Sequence, residues 1–189
     1  MHLGTLLRLM IILFPLSELF LLLFRRRQSP PELDVDKGSL RILWITILAS
    51  ISVAISLQWY PLAPLPGSPS FLQGSALIFL LGGFILRWTS ILTLGRWFTT
   101  QVTIQPHQVF IKKGPYKRLR HPSYTGLLLE FVGLGVFFGT WVSLGIMVIP
   151  ITLAILKRIH NEEAALLASF GEAYRQYQTE ADRLFPGVY

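Results

Sequence analysis

The sequence predicts an all-α integral membrane protein with five transmembrane helices, of which the last two form a tight hairpin, followed by a cytoplasmic amphipathic helix. Hydrophobic residues make up 52% of its 189 residues and charged residues only 14%, whereas a soluble domain carries about 25% charged residues. The mean hydropathy of +0.52 agrees with this contrast. The net charge of +7 comes from basic clusters between long apolar runs, which indicates membrane topology rather than nucleic-acid binding. We therefore predict a lipid bilayer, and no nucleic acid, as a partner.

Three apolar runs predict the first three membrane helices. Residues 3–24 are long enough to cross a bilayer and end against three consecutive arginines. Because no small-residue cleavage site follows, we interpret this run as a retained helix rather than a signal peptide. Residues 40–60 form the second run and end in an aromatic pair typical of the membrane interface. A proline-rich connection over 61–70 leads to the third run, residues 71–94.

The fourth apolar run, residues 124–156, is too long for one crossing. Its 33 residues would form a helix of about 50 Å, whereas the hydrocarbon core of a bilayer is about 30 Å thick. Gly139 and Thr140 provide a turn near its middle. The run is therefore predicted to fold into two helices joined by a tight hairpin, which makes five spans in all.

The distribution of lysine and arginine predicts the orientation of these spans, since basic residues concentrate in cytoplasmic segments. Segments 25–41, 95–122 and 157–189 contain five, six and four basic residues, which is 15 of the 17 in the chain. The 61–70 connection and the hairpin turn contain none. We therefore predict an outside N-terminus and a cytoplasmic C-terminus.

Beyond the last span, apolar side chains recur at helical spacing. Leu167, Phe170, Tyr174 and Tyr177 are separated by three, four and three positions, which predicts an amphipathic helix. Gly171 lies within this helix and weakens it by about 1 kcal/mol relative to alanine. We therefore expect packing against the bundle or the membrane surface to hold it.

Nearly all polar side chains with useful chemistry fall in two segments, 95–124 and 157–186, which flank the predicted hairpin. The segments therefore emerge side by side at one membrane face and bring together Arg120, His121, Tyr124, Arg158, His160, Glu162 and Glu163. The chain contains no cysteine, which excludes disulfides, thiolate zinc sites and a catalytic thiol. Because no second histidine follows His160 four positions later, we predict no metal site.

Two separated stretches of the chain carry a specific pattern. The first contains Gly114, Pro115, Tyr116, Arg120, His121, Pro122, Tyr124 and Gly126, and the second contains Arg158, Glu162, Glu163, Phe170, Gly171, Tyr174, Tyr177, Arg183, Leu184 and Pro186. With the upstream Leu94, Gly95 and His107, this pattern resembles the isoprenylcysteine carboxyl methyltransferase family over residues 94–186. We accordingly expect three membrane helices in residues 1–94 and a methyltransferase-like catalytic region in residues 95–189.

The resemblance implies an integral membrane enzyme that binds S-adenosylmethionine in a pocket formed by its last helices and releases S-adenosylhomocysteine. It implies methyl transfer to a lipophilic acceptor reached from the bilayer, and the acceptor that we expect is the carboxylate of an isoprenylcysteine or a similar small amphiphile. Related membrane methyltransferases act on phospholipid amines or small thiols. Two alternatives of other classes are an NADPH-dependent sterol-type reductase, which resembles the same C-terminal region, and a non-catalytic membrane protein.

The residue types in these segments suit methyl transfer. The reaction displaces a sulfonium in line, so the enzyme mainly has to position both reactants and exclude water. A carboxylate is already ionised at neutral pH; Arg158 would bind it through two hydrogen bonds, and Glu162, one helical turn later, would hold the guanidinium. These two are the predicted catalytic residues. The predicted donor-binding residues are His107, Gly114, Tyr116, Arg120, His121, Pro122, Tyr124, Glu163 and Tyr174.

Charged residues inside predicted spans are costly and usually face a protein interior or a polar cavity. The spans contain Arg8, Glu18, Arg87 and Glu130. Arg87 and Glu130, on the third and fourth helices, are predicted either to pair with each other or to line the route of the acceptor. Together with Arg183, they are the predicted substrate-binding residues.

Overall fold

The chain folds into six α-helices in the computed structural model, which describes residues 3–25, 38–60, 62–102, 108 and 110–187. The helices are α1 (Leu3–Arg25), α2 (Ser39–Leu57), α3 (Pro69–Leu94), α4 (Pro122–Phe137), α5 (Trp141–Phe170) and α6 (Glu172–Glu180). Two short 3-10 helices, Gly95–Trp97 and Gly114–Lys117, lie in the connection between α3 and α4. α3 packs along α4, α5 packs against both α2 and α4, and α1 lies against α3.

The turn that divides the fourth apolar run lies where the sequence places it. α4 ends at Phe137, and Gly139 adopts a φ of +74°, which a glycine tolerates without steric cost. Thr140 caps α5, since its side-chain oxygen accepts a hydrogen bond from Ser143 N at 3.0 Å. At the other end, Pro122 occupies the first turn of α4, where its missing N–H costs little. The predicted division of this run into two helices is confirmed.

Glycines bring α3 and α4 close together where they cross. A Cβ atom built on Gly83 would lie 2.6 Å from the carbonyl oxygen of Gly126 and 2.8 Å from the backbone nitrogen of Glu130. A Cβ atom built on Gly126 would lie 2.7 Å from the backbone nitrogen of Arg87. Small residues at such contacts allow the backbones of membrane helices to approach each other. Neither position therefore has room for a side chain.

Gly83→Ala is expected to destabilise the protein by about 1–3 kcal/mol, because the added methyl group forces α3 away from α4. Gly82 offers a matched control: it precedes Gly83 on the same helix, and a Cβ atom there would meet nothing within 4 Å. Gly82→Ala should be neutral or slightly stabilising, since alanine is the better helix former. Thermal unfolding in detergent compares the two variants, and equal midpoints would contradict the tight crossing.

Four helices, α1, α2, α3 and α5, are long and apolar enough to cross a membrane among the described residues. α4 is apolar but has only 16 residues, which gives about 24 Å of helix against a hydrocarbon core of about 30 Å. Large apolar side chains are exposed on the outer surface of the bundle, including Ile45, Ile78 and Leu153, as contact with lipid requires. The structure is thus a multi-pass helical bundle, and the count of five spans stays a prediction.

The region beyond the last span differs from the prediction. α5 continues for 30 residues to Phe170, so Leu167 and Phe170 belong to it, and only Tyr174 and Tyr177 lie on α6. Gly171 separates the two helices with a φ of +51°, a conformation that favours glycine. The predicted single amphipathic helix through Gly171 is therefore divided into the end of α5 and a short α6, whose two tyrosines are buried.

The chain beyond α6 pairs with the loop that precedes α4. Arg120 N donates to Asp182 O at 2.7 Å, and Asp182 N donates to Arg118 O at 3.0 Å. Thr125, in the first turn of α4, donates its hydroxyl to Leu184 O at 2.7 Å. These bonds join the two polar segments that the sequence predicted to meet.

Candidate active site

A cavity opens at the end of the bundle where α4 begins, with walls from all six helices and from the loop between α3 and α4. The cavity and its open mouth together contain about 1270 Å³ of empty space. The polar end of the cavity contains Arg120, His121, Arg158 and Glu162. The apolar arm, formed by α1 and α2, contains Leu21, Leu22, Leu40, Leu43, Trp44 and Ile47.

Glu163 of α5 connects the polar segments behind this wall. Arg120 Nε donates to its Oε1 at 2.9 Å, and Arg183 Nη2 donates to its Oε2 at 2.9 Å. The ring Nε2 of His121 lies 3.3 Å from Oε1. Arg120 also donates to the carbonyl oxygen of Ala181 at 2.6 Å. Both oxygens of this nearly buried carboxylate are therefore occupied by side chains from two other parts of the chain, the loop before α4 and the segment after α6.

Arg158 and Glu162 of α5 meet through Tyr124 of α4. Arg158 Nε donates to the Tyr124 hydroxyl at 2.7 Å, and this hydroxyl donates to Glu162 Oε2 at 3.0 Å. The guanidinium also donates to Ser39 Oγ, at the start of α2, at 3.3 Å and to the carbonyl oxygen of Thr100. Contacts from three other parts of the chain hold Arg158 at the cavity wall. The prediction that Glu162 holds the guanidinium directly is corrected, because the Tyr124 hydroxyl lies between the two groups and bonds to both.

An aromatic cluster borders the polar end. The ring of Phe110 lies 4.9 Å from that of Tyr177 and 5.7 Å from that of Tyr174. The Tyr177 hydroxyl donates to the carbonyl oxygen of Tyr116 at 2.6 Å. Burial raises the pKa of Tyr116, Tyr174 and Tyr177 above the usual value of a phenol. All three therefore stay neutral at physiological pH.

Two hydroxyl groups of the cavity wall have no hydrogen-bond partner in the described part of the chain. They are Tyr174 Oη and Thr100 Oγ1, and both atoms are buried. A buried polar atom without a partner costs free energy. Both hydroxyls are therefore suited to bind the polar atoms of a ligand.

Arg87 of α3 pairs with Glu18 of α1, so the predicted Arg87–Glu130 pair is not formed. Arg87 Nε and Nη2 donate to the two carboxylate oxygens of Glu18, the second at 2.6 Å. The Glu130 side chain is instead buried at the α3–α4 crossing, beside Gly83. Among the described residues, neither of its carboxylate oxygens has a hydrogen-bond partner. Arg87, unlike Glu130, lies in the cavity wall. The other expectation, that these residues line the route of the acceptor, stays a prediction.

The structure brings most of the predicted site residues to this cavity. Its lining includes Arg87, Tyr116, Arg120, His121, Tyr124, Arg158, Glu162 and Tyr174. Within the described ranges, the lining does not include Pro122, Glu130, Glu163 or Arg183. Gly114 lies at a separate shallow groove beside Thr93, and the predicted donor residue His107 falls outside the described residues. No cluster of three metal-ligating side chains occurs in the parts of the chain that the structure describes.

Some residues of the cavity wall were not predicted to bind a ligand. For Glu18 the sequence does give an indication of function, because a charged residue inside a predicted span is costly. For Ser39 and Thr100 the sequence gives no such indication, since hydroxyl residues are common at helix ends and in loops. Nor does the sequence indicate a binding role for Trp44, because an aromatic residue in an apolar run is expected to face lipid or the protein core.

Comparison with known proteins finds similarity to the same family over part of the chain. The family model "Isoprenylcysteine carboxyl methyltransferase (ICMT) family" matches residues 76–168. Protein-S-isoprenylcysteine O-methyltransferase B of Arabidopsis thaliana is 33% identical over 120 residues, which cover 62% of this chain and 59% of the relative. Protein-S-isoprenylcysteine O-methyltransferase of Schizosaccharomyces pombe is 31% identical over 128 residues, which cover 62% of this chain and 54% of the relative.

The fold is similar to a solved structure of the eukaryotic intramembrane Ras methyltransferase ICMT, with a TM-score of 0.60 and 25% sequence identity. That likeness covers 77% of this chain and 52% of the other. The chain thus spans little more than half the length of these relatives. The matched region, about half of the chain, extends from α3 to the end part of α5 and contains Arg87, Tyr124 and Arg158. Over residues 76–168, the chain is thus similar in sequence to the isoprenylcysteine carboxyl methyltransferase family, and its fold is similar to that of a solved structure of this kind.

Proposed function

We propose that the protein transfers a methyl group from S-adenosylmethionine to a lipophilic acceptor at the membrane, and that the accepting group is the carboxylate of an isoprenylcysteine or a similar small amphiphile. The observation that carries this proposal is the single cavity, in which the polar end around Arg158 continues into the apolar arm of α1 and α2. An amphiphile with an anionic head and a long apolar tail matches both parts. The names of the relatives supply the reaction class.

The polar end has groups that fit the proposed donor. The rings of Tyr116 and His121 would contact its adenine and ribose, and the unpartnered hydroxyls of Tyr174 and Thr100 would hydrogen-bond its polar atoms. Glu162, whose side chain is 33% exposed, would bind its ammonium group. The chemistry that this donor supplies when bound is a methyl group on a positively charged sulfur. The task of these residues is therefore to orient the donor and keep water out.

Other predicted donor residues would act indirectly. Arg120 and Arg183 occupy the two oxygens of Glu163, so we assign this carboxylate to holding Arg120 and His121 in place rather than to binding the donor. Pro122 would contribute by starting α4 immediately after His121. The roles of Gly114 and His107 in donor binding stay predictions.

The acceptor carboxylate would lie against two arginines. Arg158 would bind it from α5, with its guanidinium oriented by Tyr124, and Arg87 would approach it from α3. No general base is needed, because the carboxylate is already ionised at neutral pH. N–H groups that are already oriented, in a site that excludes water, lower the free-energy cost of orienting the carboxylate.

We infer the same topology that the basic residues predict. α4 and α5 form the fourth and fifth spans, the N-terminus lies outside, and the polar end of the cavity faces the cytoplasm. The polar end adjoins the two segments with six and four basic residues, and this supports the orientation. Arg183, on the segment that follows α6, pairs with Glu163 and does not line the cavity, so its role in acceptor binding stays a prediction.

Calorimetric titration of the detergent-purified protein with S-adenosylhomocysteine tests the donor site. We expect saturable binding that Tyr174→Phe weakens about tenfold, because the variant loses one hydrogen bond to a buried hydroxyl. Tyr60→Phe is the matched control, since Tyr60 is 68% exposed and lies away from the cavity lining. NADPH is titrated in parallel. Saturable binding of NADPH alone would contradict the proposal in favour of a reductase, and binding of neither would favour a non-catalytic protein.

A panel of acceptors tests the second half of the proposal. Transfer of a labelled methyl group is measured with an N-acetylated isoprenylcysteine, with its methyl ester, with a lipophilic thiol and with a phospholipid amine. We expect transfer to the free acid only, because the ester no longer carries the charge that Arg158 would bind. Transfer to the thiol or the amine alone would contradict the carboxylate assignment while supporting the reaction class.

A further inference from the structure

We propose that Glu18 of α1 is a positioning residue for the methyl acceptor. It holds the guanidinium of Arg87 at the cavity wall, so that a helix outside the matched region 76–168 contributes to acceptor binding. This inference rests on the proposed function, because it takes the acceptor to occupy the apolar arm and the wall beside it.

The contact between Glu18 and Arg87 is a buried, bidentate ion pair. Two N–H groups of Arg87 meet the two carboxylate oxygens of Glu18, and the side chains are only 8% and 10% exposed, for Arg87 and Glu18 respectively. Two parallel hydrogen bonds define both the position and the plane of a guanidinium. A charge without a partner inside a membrane is costly. The orientation of Arg87 therefore depends on where α1 places Glu18.

α4 carries a second carboxylate, that of Glu130, with which Arg87 does not pair. Glu130 lies at the α3–α4 crossing, with its Cγ 2.8 Å from the place that a Cβ atom on Gly83 would take, and it is not part of the cavity lining. Glu18, in contrast, lines the cavity. Pairing with Glu18 keeps the guanidinium at the wall, whereas pairing with Glu130 would draw it into the contact between α3 and α4.

Arg87 retains capacity to bind a ligand in this position. A guanidinium carries five N–H groups; two meet Glu18, and one donates to the carbonyl oxygen of Ser123 at 3.1 Å. Ser123 precedes Tyr124, whose hydroxyl accepts from Arg158. The two arginines of the wall are thus connected through the first turn of α4. A displaced Glu18 would therefore disturb Arg87 and its contact with this turn.

Glu18→Asp tests the inference, because it keeps the charge but shortens the side chain by one methylene group and so draws the Arg87 guanidinium out of place. Calorimetry of the full-length protein in detergent measures the Kd of an N-acetylated isoprenylcysteine as the acceptor probe and the Kd of S-adenosylhomocysteine. We expect the Kd of the probe to rise about tenfold and that of S-adenosylhomocysteine to change by less than about twofold. Ser17→Ala is the matched control and should change neither, since Ser17 is buried and, among the described residues, its hydroxyl bonds only within α1, to Phe14 O.

A purely structural ion pair would give a different result. Glu18→Asp would then lower the unfolding temperature while the probe bound with the wild-type Kd, and this outcome overturns the inference. The double variant Glu18→Arg with Arg87→Glu provides a second check, because it restores an ion pair between α1 and α3. It should recover thermal stability but not affinity for the probe, and recovery of both would also overturn the inference.

The experiments distinguish a failure of the proposed function from a failure of the inference about Glu18. A wild-type protein that binds the probe but does not methylate it contradicts the proposed reaction, while the comparison of Kd between Glu18→Asp and Ser17→Ala still decides the role of Glu18. A wild-type protein that does not bind the probe at all contradicts both.

Discussion

Arg158→Ala is expected to reduce methylation of a carboxylate acceptor by about 100- to 1,000-fold while leaving the binding of S-adenosylhomocysteine nearly unchanged. The guanidinium is held at the cavity wall by the Tyr124 hydroxyl, by Ser39 Oγ and by the carbonyl oxygen of Thr100. It is thus a preorganised cation beside the polar end, and alanine removes every N–H group that would orient the acceptor. Values of kcat/KM with a labelled methyl donor measure the effect, and calorimetry measures donor binding.

Two further variants make this result specific. Lys157→Ala removes the preceding cation of α5, whose side chain is exposed, and should leave the rate unchanged. Arg158→Lys keeps the charge but not the pair of parallel N–H groups, so an intermediate loss is expected. Wild-type turnover by Arg158→Ala would show that Arg158 does not bind the acceptor. Loss of S-adenosylhomocysteine binding in the same variant would move Arg158 to the donor site.

Glu163→Ala is expected to have the largest effect on stability, a loss of about 3–5 kcal/mol in the free energy of unfolding. Its carboxylate, 9% exposed, binds Arg120 and Arg183 and lies beside the ring of His121. Without it, the side chain of Arg120, only 11% exposed, loses its carboxylate partner, and the segment after α6 loses a contact with α5. Thermal or denaturant unfolding followed by tryptophan fluorescence measures the change.

Glu162→Ala provides the matched comparison for this prediction. Glu162 is the preceding residue of α5, but its carboxylate is one-third exposed and contacts the Tyr124 hydroxyl and, at 3.9 Å, the His121 ring. Its loss should weaken the binding of S-adenosylhomocysteine with little change in stability. Glu163→Gln keeps the shape of the side chain without its charge and should fall between the two. Equal unfolding free energies for Glu162→Ala and Glu163→Ala would mean that Glu163 is not the connecting group.

The general location of the candidate site was predictable from sequence. The segments on either side of a tight hairpin must emerge at one end of the bundle, so Arg120 and His121 were expected to lie near Arg158 and Glu162, and they share one cavity. The continuation of α5 to Phe170 is harder to predict from the sequence, because polar residues after an apolar run indicate the end of a membrane span. Helical geometry extends beyond the apolar stretch, and only the φ of +51° at Gly171 ends it.

Hydropathy, basic residues and helical periodicity determined the class of fold, the hairpin turn at Gly139 and the polar segments that meet, because each of these depends on a local run of residues. Only the tertiary structure decided that Arg87 pairs with Glu18 and that Tyr124 stands between Arg158 and Glu162. Such pairings depend on how closely helices cross and on which faces they present to each other. The glycine contact between α3 and α4 buries Glu130 at the crossing, whereas α1 presents Glu18 at the cavity wall, where the Arg87 guanidinium meets it.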